Sequence, residues 1–150
     1  MEVPLSDLMW VDDNTSMTDG MVVLFELAGH KVSRAQDASA ALELIHTHGI
    51  DKFGAVIVDV MVTGGSNGSF FSREKTRDYV LTGLVLAEAI VDKYGEAGRK
   101  RIFIYTRATQ EWVLRAVDTT ARALNVQWSR RGAQITPEHF LSMIEGMIGR

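Results

Sequence analysis

The run "GAVIVDV", residues 54–60, constrains the fold more than any other stretch of this chain. It is almost unbroken in apolar residues and rich in β-branched ones. A strand with one wet face alternates apolar and polar residues; a strand covered on both faces does not. The run therefore reads as an inner strand of a sheet packed on two sides. It breaks off at one carboxylate, Asp59, and the chain then enters glycines and serines.

The other segments fit the same plan. "DLMWV" (7–11) is a short apolar strand that stops at Asp12-Asp13. Residues 15–28 carry Met17, Met21, Leu24 and Ala28 at helical spacing, and Gly29 stands where a helix-ending glycine belongs. "HKVSRAQ" (30–36) is a more polar strand, nearer an edge. Asp37 is placed to cap a helix over 38–48, with Ala41, Leu44, Ile45 and His48 on one face. A longer helix is predicted over 77–94, with Val80, Leu84, Ala87 and Val91 as its inner stripe. "RIFIYT" (101–106) and "VQWS" (126–129) read as strands, and Val113, Ala116, Val117 and Leu124 mark a helix over 109–124. Thr136-Pro137-Glu138 opens a last helix, a capping residue followed by proline at the first helical position. Phe140, Ile144 and Ile148 form its buried face. Five strands alternating with five helices predict one α/β domain over residues 1–150, with a parallel sheet and helices on both faces.

Composition narrows the function classes. A chain of 150 residues can bury a full core. A net charge of −3 gives no basic footprint for nucleic acid or an anionic membrane. With no cysteine, disulfides and thiolate metal sites are excluded. No apolar stretch approaches the ~20 residues of a membrane helix. The first ten residues lack a basic region followed by an apolar run, so no secretory signal is expected and the cytoplasm is the expected compartment.

In open parallel sheets, ligands sit at the carboxyl ends of the strands. The residues there are Asp12 and Asp13, Asp59, Thr106, and Arg130 and Arg131. Three carboxylates at one sheet edge repel each other, and a hard cation such as Mg²⁺ is the usual remedy. A carboxylate is also a nucleophile that forms an aspartyl-phosphate, with a hydroxyl and a cation nearby to hold phosphoryl oxygens. Against this, Asp12, Asp13 and Asn14 read alone are helix-capping residues, and Thr106 alone is a strand-end threonine. Arg130 and Arg131 read alone are solvated charges or partner contacts.

The chain resembles the receiver domains of two-component response regulators. The matching pieces are "VDDN" (11–14), "GHKVSRAQDASAALELI" (29–45), "VIVDVM" (56–61), "TGLVLAEAI" (82–90) and "IFIYTRA" (102–108), in the family's order and across nearly the whole chain. The resemblance implies a flavodoxin-like, doubly wound, five-stranded parallel sheet of order 2-1-3-4-5. It implies a stand-alone receiver, a signalling domain rather than an enzyme. Asp59 would accept a phosphoryl group from a histidine kinase or phosphotransfer protein. Asp12, Asp13, Asp59 and the backbone carbonyl of Met61 would hold Mg²⁺, and Thr106 would be the switch hydroxyl. A downstream protein would dock on the helix over 109–124, the fifth strand and the last helix; a homodimer stays open.

Two departures stand out. The family carries a lysine followed by proline at the end of its fifth strand, and this chain has no lysine after Lys100. Arg131 takes that position, three residues after Trp128, where the family has its switch aromatic; Arg130 is the alternative. Gly132 replaces the proline. Arg107 follows Thr106 where the family prefers a small residue, and either obstructs the pocket or supplies the cation itself.

The second departure is length. The glycine that opens the family's third helix matches Gly83, 24 positions after Asp59. Loops beyond ~12–15 residues are uncommon in compact domains, so residues 62–80 form an insertion. Its "TGGSNGS" (63–69) is expected to be flexible, and it lacks the ending of a phosphate-binding loop. Phe70 and Phe71 are expected to pack on the body or on a partner.

The lost lysine, Arg107 and the insertion motivate an alternative function, a degenerate receiver acting as a phosphorylation-independent interaction module. A hydrolase of the aspartyl-phosphate type is disfavoured, because its second acid would stand where this chain has Met61. His30, His46, His48 and His139 show no ligand spacing with the carboxylates.

Overall fold

The computed structural model describes residues 7–13, 15–131 and 135–148. Asn14 and Gly132 lie outside the described residues, as does the side chain of Met17. Five strands form one parallel sheet: β1 (Asp7–Val11), β2 (Lys31–Ala35), β3 (Phe53–Val58), β4 (Ile102–Thr106) and β5 (Gln127–Arg130). Their order is β2-β1-β3-β4-β5. The helices are α1 (Thr15–Leu27), α2 (Ala38–His48), α3 (Thr82–Tyr94), the one-turn α4 (Glu96–Arg99), α5 (Glu111–Leu124) and α6 (Pro137–Ile148). The expected fold class holds, and the polar strand β2 is at an edge. Two short helical turns were not foreseen, α4 and a 3-10 turn over Ile50–Lys52 just before β3.

The sheet separates two cores. On one face Met9, Val11, Val56, Val58, Ile102 and Ile104 pack against α2, α3 and α5. On the other, Leu8, Trp10, Ile57, Phe103 and Tyr105 pack against Met21, Val22 and Phe25 of α1 and Phe140 and Ile144 of α6. Phe140 is the hub of that second core. Its ring stacks on Tyr105 at 4.2 Å between centroids and meets Phe103 edge-on at 5.3 Å. Such pairs add about 0.5–1.5 kcal/mol each beyond the area they bury. The inner strand β3 is buried from Ala55 onward on both sides, as its unbroken apolar run requires.

The segment between β3 and α3 is largely exposed but anchored on the body at Val62, Gly64, Phe71 and Thr76. Thr63 and Gly64 run beside the start of α2: Ala38 N donates to Thr63 O and Ser39 N to Gly64 O, at 2.8 and 2.9 Å. Ser39 Oγ also accepts from Asn67 N. Asp37 caps α2 as expected, accepting from Ala40 N at 2.7 Å. Phe71 is 0% exposed and belongs to the first core. Phe70 packs at its edge, with the Lys75 ammonium over its ring.

Helix α3 starts at Thr82, not at residue 77. Arg77, Asp78 and Tyr79 all have positive φ, 54°, 60° and 66°. Three consecutive left-handed residues end any right-handed helix, at a cost of about 1–2 kcal/mol each for non-glycine residues. Local hydrogen bonds hold the turn: Thr76 Oγ1 donates to Ser72 O and accepts from Tyr79 N, and Leu81 N donates to Thr76 O.

Candidate functional site

Sheet register brings the site together. Val11 pairs with Val58 across β1 and β3, so the next residues, Asp12 and Asp59, leave adjacent strands side by side. Asp59 N donates to Val11 O at 3.0 Å, and Asp12 N donates to Ala35 O at 3.0 Å. Both acids are nearly enclosed, with 5% and 4% of their surfaces exposed. Thr106 ends β4, the strand on the other side of β3. It is wholly buried, and its hydroxyl accepts from Ala108 N at 3.0 Å.

The cation at this rim is Arg107. Its Nη2 donates to Asp59 Oδ2 at 3.1 Å and lies 3.7 Å from Asp12 Oδ1. The other Asp59 oxygen accepts from Met61 N at 3.2 Å. Burial pushes the Asp59 carboxyl above its ordinary range, and the neighbouring Asp12 charge adds to this. Arg107 and the Met61 N–H pull it back, but the net direction is upward.

Of the residues singled out from sequence, Asp12, Asp59 and Thr106 gather at this rim. Asp13 is exposed beside Asp12, and Met61 is also exposed. Arg131, expected in the lysine position, instead sets its guanidinium over the Tyr105 ring at 5.8 Å, on the α1–α6 side of the sheet. Its backbone N–H donates to Thr106 O. Arg130 is exposed on the edge strand. Strand alternation explains the difference: Trp128 and Arg130 share one face of β5, Ser129 and Arg131 take the other. Arg107 carried its own signal, since it adjoins the strand-end hydroxyl.

A magnesium centre built from Asp12, Asp13, Asp59 and the Met61 carbonyl does not fit this arrangement. Among the described residues no three acidic or histidine side chains gather around a common point. Mg²⁺ binds oxygen at about 2.0–2.1 Å. An ion shared by the two facing carboxylate oxygens would stand against a guanidinium that already contacts both.

A second contact joins the segment after β3 to α5. The Arg77 guanidinium from the left-handed turn sits over the Trp112 ring at 5.0 Å. Trp112 is in the first turn of α5, and both it and Tyr79 are substantially exposed. Arg77 thus ties the segment after β3 to the helix after β4.

The histidines stay apart from this site. His30 is buried and its Nε2 meets Glu145 Oε2 at 2.8 Å, joining the start of β2 to α6. His46 Nδ1 meets the Tyr94 hydroxyl at the surface.

No protein-family model matches this sequence, and no curated protein matches it. Solved structures do. A CheY-like response regulator receiver domain protein from Methanospirillum hungatei superposes with a TM-score of 0.70 at 15% identity, covering 97% of this chain and 95% of that one. A response regulator receiver domain protein from Clostridium thermocellum gives 0.71 at 16% identity, covering 97% and 96%. The chemotaxis protein CheY4 of Vibrio cholerae gives 0.66 at 18% identity, covering 96% and 99%. The chain has the receiver fold over nearly its whole length, and at these identities the likeness is one of fold.

Proposed function

We propose that this chain is a receiver-type signalling domain that takes a phosphoryl group on Asp59 from a phosphohistidine of a histidine kinase or phosphotransfer protein. The observation that supports it best is the position of Asp59. It is an enclosed carboxylate at the carboxyl end of the central strand, with a guanidinium on one oxygen and a backbone N–H on the other.

In the reaction a carboxylate oxygen of Asp59 attacks phosphorus and the phosphorus–nitrogen bond breaks. The imidazole nitrogen keeps the electron pair. The new phosphoryl group adds negative charge beside Asp12, and Arg107 is placed to carry it through charge-assisted hydrogen bonds. Thr106 supplies a hydroxyl one residue away. Drawing that hydroxyl to the phosphoryl group would release Ala108 N and move the segment that leads into Trp112 and α5. The domain then signals in the cytoplasm by binding a downstream protein, without turning over a substrate.

The test is incubation with phosphoramidate, read by intact mass. The expected result is a gain of one phosphoryl group in the wild type and none in Asp59→Asn. No gain, or an equal gain in the variant, overturns the reading.

A second reading is an interaction module that works without phosphorylation. The segment after β3 favours it, since Tyr79 and Trp112 are exposed aromatics on two segments that Arg77 joins, and Asp59 is already ion-paired with Arg107. Deleting residues 63–77 would not test it, because that removes Phe71 from the core. Tyr79→Ala and Trp112→Ala would. Loss of partner binding in these, with binding kept in Asp59→Asn, supports this second reading.

A further inference from the structure

We infer that Arg107 is the built-in counter-cation of the Asp12–Asp59 pair and keeps divalent metal ions out of this site. The inference concerns the same rim as the phosphoacceptor reading; only its corollary, phosphoryl acceptance without added metal, rests on that reading.

Two enclosed carboxylates on neighbouring strand ends demand a positive charge or a proton. Three solutions exist: a divalent ion, a shared proton, or a basic side chain. The chain supplies the third. Nη2 of Arg107 lies 3.1 Å from Asp59 Oδ2 and 3.7 Å from Asp12 Oδ1, so a single nitrogen serves both acids. The arginine arises from the residue directly after β4, so its backbone is anchored by the sheet, and about a quarter of its side chain is exposed. A divalent ion would need those same oxygens at about 2.1 Å. It would have to expel the guanidinium or sit against its charge. Asp13, which would complete a carboxylate set, is exposed and outside the cluster.

This assignment predicts an asymmetry. With Arg107 in place, the site answers to anions: a phosphoryl group on Asp59 meets a planar donor pre-set for oxygen pairs. With Arg107 removed, the two acids lose the guanidinium they share and the site answers to cations.

The experiment is calorimetric titration of Mg²⁺ and of Mn²⁺ into the unphosphorylated protein at pH 8, for wild type, Arg107→Ala and Arg107→Gln. Thermal unfolding of each confirms that the variants are folded, and the glutamine variant keeps the side-chain length if alanine proves too disruptive. The expected result is metal binding in the variants tighter than wild type by about ten-fold or more. That gain should be abolished by adding Asp59→Asn. Any smaller difference, or no binding in all three proteins, overturns the inference. A companion reaction with phosphoramidate in the presence of a chelator tests the corollary. A phosphoryl gain that needs added Mg²⁺ overturns metal independence, while no gain under either condition defeats the phosphoacceptor reading and leaves the titration result standing.

Discussion

Gly83 presses against the backbone of Asp59. A Cβ built on Gly83 would stand 2.8 Å from the Asp59 carbonyl carbon, nearer still to its oxygen, and 2.7 Å from Val60 Cα. Gly83 N also donates to Val60 O at 2.8 Å. The first turn of α3 therefore buttresses the chain that carries the site's central acid.

Gly83→Ala should push that buttress away. Overpacking of this kind costs about 1–3 kcal/mol. Urea unfolding should show the loss with an unchanged slope, and on the phosphoacceptor reading the mass gain with phosphoramidate should fall with it. A variant as stable as wild type would mean the backbone yields at no cost.

Asp59→Asn should stabilise the domain at neutral pH. The folded-state pKa of Asp59 is raised, chiefly by burial and then by Asp12. A raised carboxyl contributes stability that is present in full below the unfolded pKa near 3.8 and is lost as pH rises through the folded value. Removing the acid abolishes that loss. The variant's advantage in thermal midpoint should appear at pH 7 and shrink towards pH 3, at about 2–4 °C per kcal/mol for a chain of this size. A variant less stable than wild type at pH 7 would show that the Arg107 attraction outweighs burial.

Phe71→Ala should behave as a core truncation, not as a loop substitution. A fully buried phenylalanine cut to alanine costs about 3–5 kcal/mol. Chemical unfolding measures the total. Limited proteolysis should show new cleavage between residues 62 and 81, because Phe71 is the segment's main apolar anchor among the described residues.

Tyr79→Gly should raise stability. Tyr79 is about half exposed and sits at φ 66°. Glycine adopts that conformation without the Cβ clash, which is worth about 1 kcal/mol. A higher unfolding midpoint is expected; a fall would show that the tyrosine ring makes contacts worth more than the strain.

The sheet was legible because each strand announced itself. β-branched runs marked β3 and β4, and the polar residues of β2 marked an edge. Asp12, Asp59 and Thr106 followed directly, since strand ends in a parallel sheet share one rim. Three things were not legible. The turn at Arg77, Asp78 and Tyr79 contains no glycine, so nothing in its composition announced a left-handed path, and the helix was expected to start five residues early. Phe71 was marked as apolar, but its neighbours gave no period to say which surface it covers. The choice between Arg107 and Arg131 depended on which way each long side chain leaves its strand. Charge and spacing named both residues; only the register of β4 and β5 separated them.

Thr106 and Arg107 hang from consecutive Cα atoms, about 3.8 Å apart. The hydroxyl lies in the interior and the guanidinium holds the acid, so one peptide plane joins them. A rotation of that plane that loosens the grip on Asp59 also turns the hydroxyl that steadies Ala108. In the proposed receiver, a changed charge at Asp59 would reach the segment that leads into α5 through the covalent chain itself.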